Sequence, residues 1–313
     1  MRLRIFYVAD IHGSERCYRK LLNAAKFYDA QVLMIGGDLT GKMVVPFVEN
    51  PDGTYRSDWL EKKRMRPAEV AEHEKNLADG GLYTVRVTPR EMEDLQGDPK
   101  RVYDLFNAQM RGRLRAWLAL ADERLRPQRL KLHVIPGNDD RFEIDDEVRQ
   151  SETVVYCEGR VVDIGGYEVA SCGFTNPTPW KTPRELPEEE LRKKLDAATR
   201  GIGHPDRVLF NFHCPPVGTA IDVAPLLTPD LKIVARAGSV ATQHVGSTAV
   251  RALLEERQPL LGLHGHIHES RGEDHVGRTT VLNPGSEYNQ GVLHGVLVDL
   301  EDGRLVRSQF TLG

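Results

Sequence analysis

The feature that most constrains this chain is a set of short, nearly uninterrupted apolar runs, each ending at a turn that carries polar side chains. Residues 3–9, 32–35, 132–135, 208–212 and 260–263 are such runs. A strand with one wet face alternates apolar and polar residues, whereas a continuous apolar run belongs to a strand covered on both faces. Helix signals lie between the runs. Ser14 can cap a helix that carries Leu21, Leu22, Ala25 and Phe27, and Ser247 or Thr248 can cap one before residue 260. Gly165-Gly166 marks a hairpin, and further strands are expected at 279–282, 292–299 and 304–311. Two sheets covered by helices suit this order better than a single doubly wound sheet. The expected class is α/β, in the α+β sense.

Residues 41–126 interrupt the alternation. Pro51-Asp52-Gly53 is a turn between segments able to pair as a hairpin. Thr88-Pro89-Arg90-Glu91 supplies a cap, a proline at the first helical position and a glutamate at the third. After Gly97-Asp98-Pro99, the residues Phe106, Met110, Leu114, Trp117, Ala121 and Leu125 recur at three- and four-residue spacing. The segment reads as a mostly helical insertion in a single domain spanning 1–313, serving as a cap or an oligomerisation surface. Thr182-Pro183-Arg184-Glu185 repeats the helix-start pattern and predicts a helix from that point.

Five polar blocks follow the apolar runs: Asp10-Ile11-His12, Gly36-Gly37-Asp38, Gly137-Asn138-Asp139-Asp140, His213 and Gly265-His266-Ile267-His268. Loops on a rigid scaffold carry function, and the glycines let the backbone turn sharply. Imidazole, carboxylate and amide without thiolate suit manganese, iron or zinc. Seven donors exceed one tetrahedral ion and fit two ions about 3.5–4 Å apart. Taken singly, each block has a plain reading: Asp10 as a turn residue, Gly36-Gly37-Asp38 as a turn, His213 as a satisfied buried histidine. Taken together, a buried polar cluster of this size needs a ligand to justify it.

In their order and spacing the blocks resemble the calcineurin-like metallophosphoesterase family, whose pattern is DxH, GGD, GN, H and GHxH. The resemblance runs from Asp10 to His268. It implies a four-layer αββα sandwich of two mixed sheets and a dinuclear-metal phosphoester hydrolase, with a metal-bridging hydroxide as nucleophile. It assigns Asp10, His12, Asp38 and His268 to one ion, and Asp38, Asn138, His213 and His266 to the other. Asn138 would also touch substrate, and Arg141, directly after the block, is the first choice for a further substrate contact. The family commonly has histidine where this chain has Asp139, followed by an acidic residue, here Asp140; these two are the catalytic candidates. Beside two cations Asp139 is expected to be anionic and a poor proton donor. That favours diesters over dianionic monoesters, with a phosphomonoesterase or a non-catalytic scaffold of the same fold as alternatives.

Composition narrows the partners. A net charge of -4 gives no general basic field for nucleic acid. A small phosphoester is the expected substrate, and the insertion offers a surface for a homo-oligomer. The first apolar run is too short for a secretory leader, and no stretch approaches the ~20 residues of a membrane span. Four cysteines without a CxxC pair are expected to be reduced, as in a cytoplasmic protein. His133, His264 and His294 are read as core histidines. Arg111 and Arg115, like the basic run 62–66, are read as solvated surface.

Overall fold

In the strand Arg2–Val8, the side chains of Leu3, Ile5 and Tyr7 pack into one apolar cluster and those of Phe6 and Val8 into another. That period-two split is what a strand buried on both faces must show. In the computed structural model, which describes residues 2–236 and 238–313, it sets the whole architecture.

One sheet has six strands in the order Arg304–Leu312, His294–Glu301, Arg2–Val8, Val32–Gly36, Leu132–Ile135 and Val154–Tyr156. The second runs Gly272–Val276, Thr279–Asn283, Leu261–Leu263, Val208–Phe212, Tyr167–Cys172 and Val161–Ile164. Both mix parallel and antiparallel pairs. Ile5, Tyr7 and Met34 of the first sheet meet Val169, Leu209 and Leu263 of the second in the cluster between them. On the outer face of the first sheet lie the helices Glu15–Phe27 and Pro99–Leu125, through Leu21, Leu22, Leu114 and Trp117. On the outer face of the second lie Glu188–Ala198 and Thr248–Arg257, through Leu191, Leu195, Val250 and Leu253. The result is helix, sheet, sheet, helix, as expected.

Caps act where the sequence places them. Ser14 accepts from the Cys17 N–H, Ser247 from the Val250 N–H, and Thr88 and Glu91 form a reciprocal capping box. The segment 41–126 is helical for the larger part, in Pro67–Asp79, Pro89–Gly97 and Pro99–Leu125. It also carries a four-stranded sheet, in the order Lys62–Met65, Tyr55–Ser57, Val44–Glu49 and Tyr83–Val87, of which only a hairpin was expected. The four cysteines are free and buried. No helix among the described residues is long and apolar enough to cross a membrane.

The charged helix expected after Thr182-Pro183-Arg184-Glu185 is present as Glu188–Ala198, but it starts after Pro187 instead of at Thr182. Thr182 and Glu185 still pair as a cap would, with the Thr182 N–H and hydroxyl both donating to Glu185 Oε1 at 2.8 and 2.6 Å. The backbone between them is held elsewhere: the Arg184 N–H donates to the Asn138 carbonyl, and the Arg184 guanidinium to the Asp140 and Arg141 carbonyls.

Candidate metal centre

Arg2–Val8, Val32–Gly36 and Leu132–Ile135 run parallel, as do Val208–Phe212 and Leu261–Leu263. All five polar blocks therefore leave the C-terminal ends of neighbouring parallel strands, where crevices form in open α/β sheets. The first sheet delivers Asp10, His12, Asp38 and Asn138; the second delivers His213, His266 and His268.

The donor atoms converge. Those of Asp10, His12 and His268 lie within 4.8 Å of one another, as do those of Asp10, Asp38 and His213, and those of His12, Asp38 and Asp139. Asp38 Oδ2 is 3.5 Å from His12 Nε2 and 3.4 Å from His213 Nε2, so it stands between the two halves. His268 Nε2 is 3.5 Å from Asp10 Oδ1. Asn138 joins through Oδ1, 3.1 Å from His213 Nε2. His266 lies beside His213, their ring centroids 5.4 Å apart, and its backbone N–H donates to both oxygens of Asp10. It is not in the three converging sets.

The surroundings orient these donors. The Nδ1 of His213 is 2.7 Å from the Gly36 carbonyl, which takes the ring's proton and turns Nε2 inward. The hydroxyl of Thr182 gives its hydrogen to Glu185, so it accepts from Asn138 Nδ2 at 2.9 Å and leaves the amide oxygen facing the cluster. Asp10, His12, Asp38 and His266 all have positive φ, at 55, 40, 52 and 69°. Residues with side chains occupy that region at a cost and concentrate at functional sites. Two glycines make room: a Cβ on Gly37 would lie 2.2 Å from His213 Nδ1, and one on Gly137 would lie 2.1 Å from Asp38 Oδ1.

Cations fit this donor set. A neutral His213 would aim its Nε2 lone pair at three oxygens, of Asn138, Asp38 and Asp10, at 3.1, 3.4 and 3.8 Å. The Nε2 atoms of His12 and His268 face each other at 3.1 Å, where one N–H donates to the other ring or both lone pairs serve one ion. His12 is fully buried and its Nδ1 has no hydrogen-bond partner. The titration behaviour carries the same message. Burial pulls His213 down, but the Asp38 and Asp10 carboxylates lift it to about 9. Burial, helped by Asp139 and Asp10, pushes Asp38 up, against the pull of His213. Burial and the neighbouring His213 bring His266 down to about 3.

The surroundings of Asp140 and Arg141 differ from the catalytic and substrate-contact roles expected of them, and Asp139 lies where its block suggested. Asp140 is fully buried with both oxygens occupied: Oδ2 accepts from the Leu39 and Gly137 N–H groups, and Oδ1 from the Thr40 N–H and hydroxyl. It fastens the Asp38 loop to the Asn138 loop and is a positioning residue. Asp140→Ala is expected to cost about 3–5 kcal/mol, because it leaves several buried donors unpaired. Urea denaturation measures this, and a loss under about 1 kcal/mol would contradict the role. Arg141 turns to the long helix instead of the cluster, bonding Asn107 and lying 4.4 Å from the ring centres of both Tyr103 and Phe106. Asp139 lies at the rim, with Oδ2 3.9 Å from His12 Nδ1 and its N–H on Asp38 Oδ1 at 3.0 Å.

Lys42 and Tyr288 complete the site and were not foreseen. Lys42 forms an ion pair with Asp139, and the Tyr288 ring lies 4.5 Å from that of His12. No local pattern signals either contact.

No known protein-family profile matches the chain. It is 32% identical over 152 residues to the uncharacterized protein MJ1162 of Methanocaldococcus jannaschii. That match takes in 48% of this chain and 62% of the relative, so the chain spans less than two thirds of the relative's length. TT1561 of Thermus thermophilus has a similar structure, with 16% identity, a TM-score of 0.54, and 100% of this chain and 99% of that one covered. Another crystal structure gives 17% identity and a TM-score of 0.57 over 100% and 99% of the two chains. These likenesses establish the fold.

Proposed function

We propose that this chain is a calcineurin-like metallophosphoesterase: a hydrolase that uses two divalent metal ions, manganese, iron or zinc, on small phosphoesters, with diesters preferred. The observation that carries the reading is the convergence of buried carboxylate and imidazole donors from two sheets, close enough together to share metal ions. Asp10, His12, Asp38 and His268 would hold one ion, and Asp38, Asn138, His213 and His266 the other. When bound, the ions supply Lewis acidity toward the phosphoryl oxygens and a nucleophile derived from water near neutral pH.

The chain's own residues do the positioning. Gly36 and Thr182 hold His213 and Asn138 in the orientation that points their free donor atoms inward. Asp140 keeps the two loops of the first sheet in register. Asp139, in place of an imidazole, is not a ready proton donor for the departing oxygen. Esters whose leaving group departs unprotonated, such as aryl oxides, should therefore react best. Lys42 offsets part of the Asp139 charge, and what remains at the rim disfavours a dianionic monoester more than a monoanionic diester, which is the source of the diester preference.

Protein reconstituted with manganese is expected to hydrolyse a bis-aryl phosphate at least about tenfold better, by kcat/KM, than the matched aryl monophosphate. A chelator should abolish both activities. A preparation that holds two metal equivalents yet hydrolyses no phosphoester would favour the scaffold reading instead.

A further inference from the structure

The backbone from Leu39 to Gly41 is buried and tightly held. Asp140 accepts from Leu39 and Thr40, and the Gly41 N–H donates to the Tyr83 hydroxyl at 2.9 Å. Gly41 passes so close to Gly81 that a Cβ would lie 2.2 Å from its carbonyl oxygen. Lys42 is the first exposed residue after this rigid stretch, so the direction in which its side chain leaves is set by the fold. Its ammonium turns to Asp139, on the His12 and Asp38 side of the cluster, instead of toward open solvent.

Among the described residues, no other lysine or arginine forms an ion pair with a residue of the cluster. The Lys42 side chain is 44% exposed and that of Asp139 17%, so the pair sits at the mouth of the site. With its ammonium half exposed, such a pair is reachable by another anion arriving from solvent. An ammonium is a compact charge with three donors, suited to the non-bridging oxygens of a phosphoryl group.

On the basis of the hydrolase reading above, we infer that Lys42 is a substrate-binding residue that grips a non-bridging phosphoryl oxygen, and that Asp139 is its resting partner, competing with the substrate for the ammonium. The inserted segment thus contributes a charge to the site as well as any covering it provides. Removing Asp139's charge should tighten anion binding, and only while Lys42 is present.

The test is calorimetric titration of inorganic phosphate into the full-length manganese-loaded protein, with metal content measured in parallel. Lys42→Gln is expected to weaken phosphate binding at least about tenfold at unchanged metal content, the scale of one hydrogen bond to a charged group. Lys42→Arg should recover most of the loss. Asp139→Asn should tighten binding several-fold, and the Lys42→Gln/Asp139→Asn protein should bind no better than Lys42→Gln alone. The inference is overturned if wild type binds no phosphate, if Lys42→Gln binds as wild type does, if Lys42→Gln loses its metal, or if the double variant keeps the Asp139→Asn gain. Hydrolysis of the bis-aryl phosphate by the same preparations judges the hydrolase reading separately. Hydrolysis with Lys42-independent phosphate binding removes this inference alone, and Lys42-dependent binding without hydrolysis removes that reading alone.

Discussion

Asp38→Ala is expected to lower bound metal from about two equivalents to one or fewer, and kcat/KM for an aryl diester by on the order of a thousandfold, the scale of losing one preorganised charge-stabilising group. The reason is position. Asp38 Oδ2 lies within 3.5 Å of both His12 and His213, one from each sheet. Its Oδ1 also accepts the Asp139 N–H, so Asp38→Asn, which keeps an acceptor there, is the better-folded companion variant. Elemental analysis after desalting measures the metal. Two firmly held equivalents in Asp38→Ala would show that this carboxylate is not shared between the ions.

Gly37→Ala should disable the site without touching a donor atom. Gly37 has φ 116°, where side chains are strained, and the new methyl carbon would sit 2.2 Å from His213 Nδ1. His213 would have to leave the Gly36 carbonyl that sets its orientation. Strain and overpacking together predict a loss of about 2–4 kcal/mol by urea denaturation, with metal content falling as well. Gly112→Ala is the control. Gly112 lies inside the helix Pro99–Leu125 with nothing near its missing Cβ, and the change should stabilise by about 1 kcal/mol. Equal stability of Gly37→Ala and wild type would mean that the cluster has more slack than these distances allow.

Much of the framework was legible because each donor block directly follows an apolar run, so strand ends and polar clusters could be read together. Asp10, His12, Asp38, Asn138, His213 and His268 come together as their blocks suggested, with His266 alongside. What failed to show was tertiary. Val44–Glu49 contains Pro46, which argues against a strand, yet its antiparallel pairing with Tyr55–Ser57 involves only Val48 and Glu49, and Pro46 has no partner on that side. Lys62–Met65 is solvated as its charge run suggested, with Lys62, Lys63 and Arg64 exposed, but its place as an edge strand was not legible. Thr182 and Glu185 carry a helix-start pattern whose bonds serve Asn138 instead. Arg141 lies three residues beyond the donor Asn138, but its guanidinium is claimed by the aromatic rings of a distant helix. Lys42 has no signal at all, since a flexible side chain four residues beyond a donor can end anywhere until the fold directs it.

The place of Arg2–Val8 in its sheet has a consequence for biosynthesis. One flank of this strand pairs with Val32–Gly36, made almost at once; the other pairs with His294–Glu301, in a register running from Arg2 opposite Glu301 to Tyr7 opposite Val296. On the ribosome the strand keeps that edge open until residues 294–301 have been made. All seven donors have been translated by residue 268, whereas the strand that closes the sheet behind Asp10 and His12 emerges only afterwards. The residues of the cluster are therefore all made before the framework behind them is complete. Long-range pairing of this kind slows folding and leaves strand edges exposed to aggregation meanwhile. The hairpin of His294–Glu301 and Arg304–Leu312 contributes no residue to the cluster, yet its pairing is what closes the sheet behind it.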